Sequence, residues 1–216
     1  GSYKLEGVDI RNDNWHKLWA KVKQKSRRTE SRFFKLLLKE ISLAKKLKSI
    51  VVVGGEPLLN NQLDEIISKG EDKRLDIISG LGVSKSRLLT YLKKYQGKNI
   101  GFKISGETTG ENFEFMRYGS KWTDFCEKVK MISDHGFEIE FISTISNLTI
   151  LDFHNFYNKF KNDYKININF LTGRPFLLPH VLDSKSKEIF QTWIAQQNDT
   201  SILEPLRNIT EKDIQE

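Results

Sequence analysis

Cysteine is nearly absent from this chain: Cys126 is the only one among 216 residues. A single thiol excludes an internal disulfide framework and fits a reducing, cytoplasmic setting. Long apolar runs are missing as well. None approaches the roughly 20 residues needed to cross a bilayer, so no membrane role is expected. The amino end, Gly1-Ser2-Tyr3-Lys4, has no signal-peptide pattern. Gly1-Ser2 has the look of a pair left by tag removal, so the natural start is expected to lie elsewhere. The histidines His16, His135, His154 and His180 form no metal-ligand spacing with one another or with Cys126. No residue is therefore assigned a metal-binding or catalytic role. Cys126 falls within a helical pattern beside Phe125, with no local base, and reads as a packed thiol rather than a nucleophile.

Charge is unbalanced, with 35 Lys+Arg against 28 Asp+Glu and a net of +7. Such an excess attracts anionic surfaces. Apart from a short run at Lys21–Arg28, the lysines are scattered over the wet faces of predicted helices. There is no basic stripe with interleaved aromatics, so nucleic acid is not the expected partner. At 38% hydrophobic and 29% charged residues, the chain reads as a globular protein with one sizeable core.

The densest signal is Val51-Val52-Val53-Gly54-Gly55-Glu56-Pro57-Leu58-Leu59. An apolar run with the look of a buried strand, Ser49 to Val53, ends in two glycines, a carboxylate and a proline. The glycines permit a tight turn and close approach of a ligand. Glu56 would sit at the carboxyl end of its strand, where α/β sheets and barrels bind ligands. The segment is not a phosphate loop, because it lacks the Gly-Lys-Ser/Thr ending.

Around it, the spacing predicts alternating elements. A helix spans Glu30 to Leu47, with Phe34, Leu37, Leu38, Ile41, Ala44 and Leu47 on one stripe. A short helix carries Leu63, Ile66 and Ile67. Further strands are expected at Leu75–Ile78, Asn99–Ile104, Phe137–Ser143 and Lys165–Phe170. Between them lie a helix capped by Ser84, one carrying Phe125, Val129 and Ile132, and one begun by Asn147 or Thr149. A last helix runs from Ser184 to Gln197. Trp15, Trp19, Trp122 and Trp193 read as core or interface anchors. Five strands separated by helices imply a parallel sheet with right-handed crossovers. The order begins with a helix where such folds usually begin with a strand.

Gly-Gly-Glu-Pro after a hydrophobic strand resembles the radical SAM superfamily, whose loop of this kind holds the amino group of S-adenosylmethionine. From about Leu47 to Lys187 the chain is similar to the twitch group of that superfamily. The carriers are Ile104-Ser105-Gly106-Glu107, Phe115-Met116-Arg117-Tyr118-Gly119-Ser120-Lys121-Trp122, Ile142-Ser143-Thr144-Ile145-Ser146-Asn147, and Phe176-Leu177-Leu178-Pro179 followed by Lys185. Glu107 stands where the group has Asp, and Ser79-Gly80 where it commonly has Thr-Asn. Val8 to Trp19 resembles part of the SPASM auxiliary region of related enzymes.

The resemblance implies an α/β fold: a partial (β/α)6 TIM-like barrel of parallel strands with its first strand missing. It implies a SPASM-like remnant over residues 1–28 and a barrel with its C-terminal helix over residues 29–216. It implies S-adenosylmethionine as cofactor, held by Gly54, Gly55, Glu56, Pro57, Ser79, Ser105, Glu107, Arg117, Thr144 and Asn147. Glu56 would take the ammonium, Ser105 the methionine carboxylate or ribose, Glu107 the ribose and Arg117 the carboxylate. From the residues alone, each has a plainer reading: Glu56 and Asn147 as helix caps, Ser105 as a turn residue, Glu107 as a solvated charge, Arg117 as a surface salt bridge. In the family, three cysteines spaced CxxxCxxC hold a 4Fe–4S cluster that passes an electron to S-adenosylmethionine, and a deoxyadenosyl radical follows. Those cysteines are absent, and the resemblance places the lost segments near Ala20–Arg28 and between Arg28 and Phe33. The chain as written is therefore expected to be inactive, with cluster and electron donor belonging to the complete protein only. Two function classes stay open: a radical SAM enzyme shown without its cluster segments, its substrate unidentified and peptides a class that such relatives often modify; or a non-catalytic relative that binds an adenosine-like ligand or acts as a scaffold. A basic nucleic-acid-binding domain is the weaker third.

Overall fold

A computed structural model of the protein describes residues 32–171 and 175–197. The segment resembling a SPASM remnant, Trp15, Trp19, His16 and the Ala20–Arg28 region lie outside the described residues. The described chain is helical over 32–43 (α1). It then alternates through β1 (Ser49–Val52), α2 (Leu63–Lys69), β2 (Arg74–Ser79), α3 (Lys85–Tyr95), β3 (Ile100–Ser105), α4 (Gly110–Met116), α5 (Trp122–Asp134), β4 (Glu138–Ile145), α6 (Ile150–Phe160), β5 (Lys165–Phe170) and α7 (Ser184–Ala195).

The strands form one sheet in the order β1-β2-β3-β4-β5, and every pair is parallel. Sequential order without a reversal is decisive. Right-handed crossovers then place successive helices on the same face, as in a barrel, whereas a doubly wound sheet reverses order part-way. Leu75, Ile77, Phe102, Ile104, Ile139, Phe141 and Ile166 point to that helical face and are buried. Phe141 is its hub. Its ring meets those of Phe125 on α5 and of Phe156 and Phe160 on α6, with centroids 6.4, 5.1 and 4.5 Å away. Trp122 stacks on Phe125 at 5.6 Å, and Trp193 packs on Phe153, Tyr157 and Phe190. Both are the anchors expected of them. Among the described residues no helix is long and apolar enough to cross a membrane.

The other face of the sheet is polar in rows. The register aligns Asp76 with Gly101 and Glu138, then Lys103 with Glu140 and Lys165, then Ser105 with Ile142 and Asn167, and last Thr144 with Asn169. Charge therefore sits at the amino-terminal ends of the strands and neutral polar groups at the carboxyl ends. The charged rows neutralise one another. Arg74 pairs with Asp76 (2.8 Å) and Glu138 (2.6 Å), Lys103 with Asp76 (3.4 Å) and Glu140 (3.6 Å), and Lys165 with Glu140 (2.6 Å). They line a cavity of about 190 Å³.

Several expectations need correction. β1 is an edge strand, not a buried one. Val51 and Val53 are 50% and 62% exposed, because no described strand pairs with its outer side. Helix α4 was not foreseen. It is short, opens with a glycine and buries only Phe113. β2 runs one residue past the expected Leu75–Ile78 to Ser79, and β4 runs past the expected Ser143 to Thr144 and Ile145. Helix α6 begins at Ile150 with Thr149 at its cap position, so Asn147 is not the cap.

Candidate functional site

The carboxyl ends of β1 and β2 are tied together around Glu56. Gly54 and Gly55 follow β1 with φ of +104° and +50°. A side chain there would be strained although a Cβ would meet nothing within 4 Å. The backbone needs the glycines, and the space beyond them is open. The turn sets Glu56 in extended conformation immediately before a 3-10 turn, Pro57–Leu59, whose first residue is the proline. Its Oε1 accepts from Leu58 N (3.3 Å) and from Ser79 Oγ (2.7 Å); its Oε2 accepts from Gly82 N (3.0 Å). An ionised carboxylate offers about four acceptor directions. Three are taken within the protein, and one on Oε2 is left. The capping contact thus does not use up the acceptor capacity of the residue.

Ser79 works through Glu56: its Oγ donates to the carboxylate and accepts from Leu81 N at 2.9 Å. It is 1% exposed. The sequence pattern marks it as a ligand contact, and its hydroxyl is engaged here by Glu56 and Leu81 N.

Glu107 and Arg117 form the second half. Arg117 Nη2 donates to both oxygens of Glu107, at 3.1 and 2.9 Å. Burial pushes the Glu107 carboxyl above its ordinary range, and the guanidinium opposes that. The same arginine reaches back to β2: a Cβ on Gly80 would lie 3.2 Å from its Nη1. Arg117 Nε is buried without a partner. Ser105 ends β3 half-buried, and Thr144 is exposed near the end of β4.

Asn147 is not brought into this group. Its Nδ2 donates to Phe176 O at 3.0 Å and its backbone N–H to Leu177 O at 3.0 Å, which ties the β4 loop to the late Pro-containing segment. Sequence reasoning missed Gly82, whose amide completes the Glu56 cradle, and Asn169, which shares a row with Thr144. The alternation Lys165, Asn167, Asn169 was the available signal for the latter. Cys126 lies on α5 with its thiol pushed up by burial, the opposite of an activated thiolate.

No family model matches the sequence, and no curated protein does. Solved structures do. Native anSMEcpe with bound AdoMet aligns at 10% identity with a TM-score of 0.53, over 75% of this chain and 50% of that one. The chain shares its fold with AdoMet-bound anSMEcpe. Native anSMEcpe with bound AdoMet and Cp18Cys peptide aligns at 10% identity and TM-score 0.53, over 75% and 51%. Streptococcus suis SuiB bound to precursor peptide SuiA aligns at 16% identity and TM-score 0.47, over 68% and 36%. The chain spans about half the length of the anSMEcpe structures. At these identities the likeness is one of fold.

Proposed function

We propose that this chain is a radical SAM superfamily barrel of the twitch, SPASM-related kind, and that the mouth around Glu56 binds S-adenosylmethionine. The observation that carries the reading is Glu56 Oε2, which accepts only from Gly82 N among the described residues and follows a turn where a Cβ on Gly54 or Gly55 would meet nothing within 4 Å. An ammonium group suits it, because a charge-assisted bond to a half-buried carboxylate is strong. Arg117 supports the same reading. One nitrogen holds Glu107, and the buried Nε remains for a ligand carboxylate. Ser105 and Thr144 supply hydroxyls at the ends of the next strands. Glu107, committed to Arg117, acts as its holder rather than as a ribose contact. Bound S-adenosylmethionine would supply the sulfonium whose carbon–sulfur bond such proteins cleave.

The fit does not extend to an iron–sulfur cluster. Three thiolates are needed, and the sequence has Cys126 alone. Among the described residues no group of three or more His, Cys, Asp or Glu could hold a metal. The polypeptide as written would therefore bind S-adenosylmethionine without cleaving it. The complete protein would carry cluster and electron donor and act on a peptide, a class supported by the peptide bound in the solved relative of the same fold.

Calorimetry with S-adenosylmethionine tests the site. Wild type should bind, and Glu56→Ala should bind at least about tenfold more weakly, since hydrogen bonds to charged groups contribute about 1.5–3 kcal/mol. Equal affinities would remove Glu56 from the site.

A further inference from the structure

Lys128 is a buried lysine with a place in this site that its sequence position does not announce. It lies on α5, 6% exposed, within the stripe of Phe125, Val129 and Ile132 that packs on the sheet. Its ammonium donates to Leu81 O at 3.1 Å and pairs with Asp124 at 2.5 Å. Lys85 faces the same Asp124 at 3.3 Å and also pairs with Glu127.

Leu81 is the one non-glycine residue with positive φ among the described residues, at +58°. L residues other than glycine seldom adopt that conformation, and it persists only where the surroundings enforce it. Three contacts enforce it here. The Leu81 side chain is buried, its N–H is held by Ser79 Oγ at 2.9 Å, and its C=O by Lys128. The consequence lies in the next atoms along the chain. The C=O of Leu81 and the N–H of Gly82 belong to one peptide unit. The C=O points to the Lys128 ammonium and the N–H to Glu56 Oε2, 3.0 Å away. Because the peptide is trans and planar, its two polar atoms point opposite ways. One peptide dipole thus spans from a buried cation to the candidate ligand-binding carboxylate, and bonds in such a chain polarise one another.

We infer that Lys128 is a positioning residue for ammonium binding, acting on Glu56 through the Leu81–Gly82 peptide. The inference rests on Glu56 binding the ligand ammonium. Lys128 fixes the peptide so that its N–H occupies one lone-pair direction of Oε2 and leaves the other for the ligand. Without the lysine, no other described residue holds the Leu81 carbonyl. The peptide is then freer to turn, and Glu56 Oε2 loses the Gly82 donor that sets its orientation while Oε1 stays with Ser79 and Leu58. The effect is confined to ligands that carry an ammonium group.

The test is calorimetry with two probes, S-adenosylmethionine and methylthioadenosine, which lacks the amino-acid portion. It uses wild type, Glu56→Ala, Lys128→Met and the double variant. Lys128→Met should weaken S-adenosylmethionine about tenfold and leave methylthioadenosine unchanged. It should have no further effect once Glu56 is alanine, and Lys128→Arg should restore most of the loss. If Glu56→Ala weakens S-adenosylmethionine while Lys128→Met does not, or weakens both probes alike, the inference on Lys128 is wrong though the site stands. If Glu56→Ala changes nothing, the site itself is wrong and the inference goes with it. Should Lys128→Met fail to fold, Lys128→Leu, which likewise removes the donor, is read in the same way.

Discussion

Arg117 and Glu107 meet through a single nitrogen: Nη2 lies 2.9 and 3.1 Å from the two carboxylate oxygens, and the Glu107 side chain is only 9% exposed. Removing one partner of such a pair leaves a buried charge uncompensated, at a cost of about 3 kcal/mol. Arg117→Met should lose about that much in urea denaturation at neutral pH. The pH dependence has a defined sign. Burial raises the Glu107 carboxyl above 4.5 in the folded protein, and Arg117 opposes the rise. A carboxyl raised by folding contributes stability that is present below the unfolded pKa and is lost as pH climbs through the folded one. Without the arginine the rise is larger, so the deficit of Arg117→Met should widen from pH 4 to pH 7. A deficit that narrowed over that range would contradict the assignment.

The ion pairs across the open face respond in the other direction. Burial works to raise the Glu140 carboxyl, but hydrogen bonds from Lys165 and Asn167 and the charges of Lys165 and Lys103 outweigh it and leave it lowered. A lowered carboxyl contributes stability above its unfolded pKa that is lost as pH falls through the folded one. Glu140→Gln should cost about 1 kcal/mol at pH 7. Below about pH 4 the difference from wild type should shrink toward zero. Parallel acid-unfolding curves would rule this out.

Gly106 is fixed by crowding rather than by φ. A Cβ there would lie 2.9 Å from the Phe156 ring and 3.2 Å from Phe125. Phe156 is fully buried and has no room to retreat. Gly106→Ala should therefore destabilise by about 1–3 kcal/mol, seen as a lower urea midpoint with an unchanged slope. A neutral result would mean that the β3 loop sits farther from α6 than described.

Gly54 is the converse case. A Cβ meets nothing there, yet φ is +104°. Gly54→Ala should cost about 1–2 kcal/mol from the backbone alone. S-adenosylmethionine binding should also fall if the turn shifts Glu56. Unchanged stability together with unchanged binding would show that the turn tolerates another conformation.

The sequence made the alternation legible because each strand is a short apolar or β-branched run closed by a glycine or a polar cluster. Val51-Val52-Val53 shows where reading ended. Apolar composition specifies a strand but says nothing about whether a neighbour pairs with it, and β1 turned out to be an edge. Glu56 was legible because Gly-Gly-Glu-Pro carries its own backbone requirement. The roles of Ser79 and Gly82 were not, since they depend on β2 ending beside β1. Lys128 could be seen as a charge within the stripe of Phe125, Val129 and Ile132. Only the fold brings the Leu81 carbonyl to it.

The most direct measurement is to follow the backbone amides of isotope-labelled protein by NMR as S-adenosylmethionine is added. Saturable shifts are expected at Gly54, Gly55, Gly82 and Ser105, at and beyond the carboxyl ends of β1 to β3, and at Arg117 at the end of α4. Shifts confined to the charged rows at the opposite ends of the strands, or no shifts at saturating ligand, would contradict this.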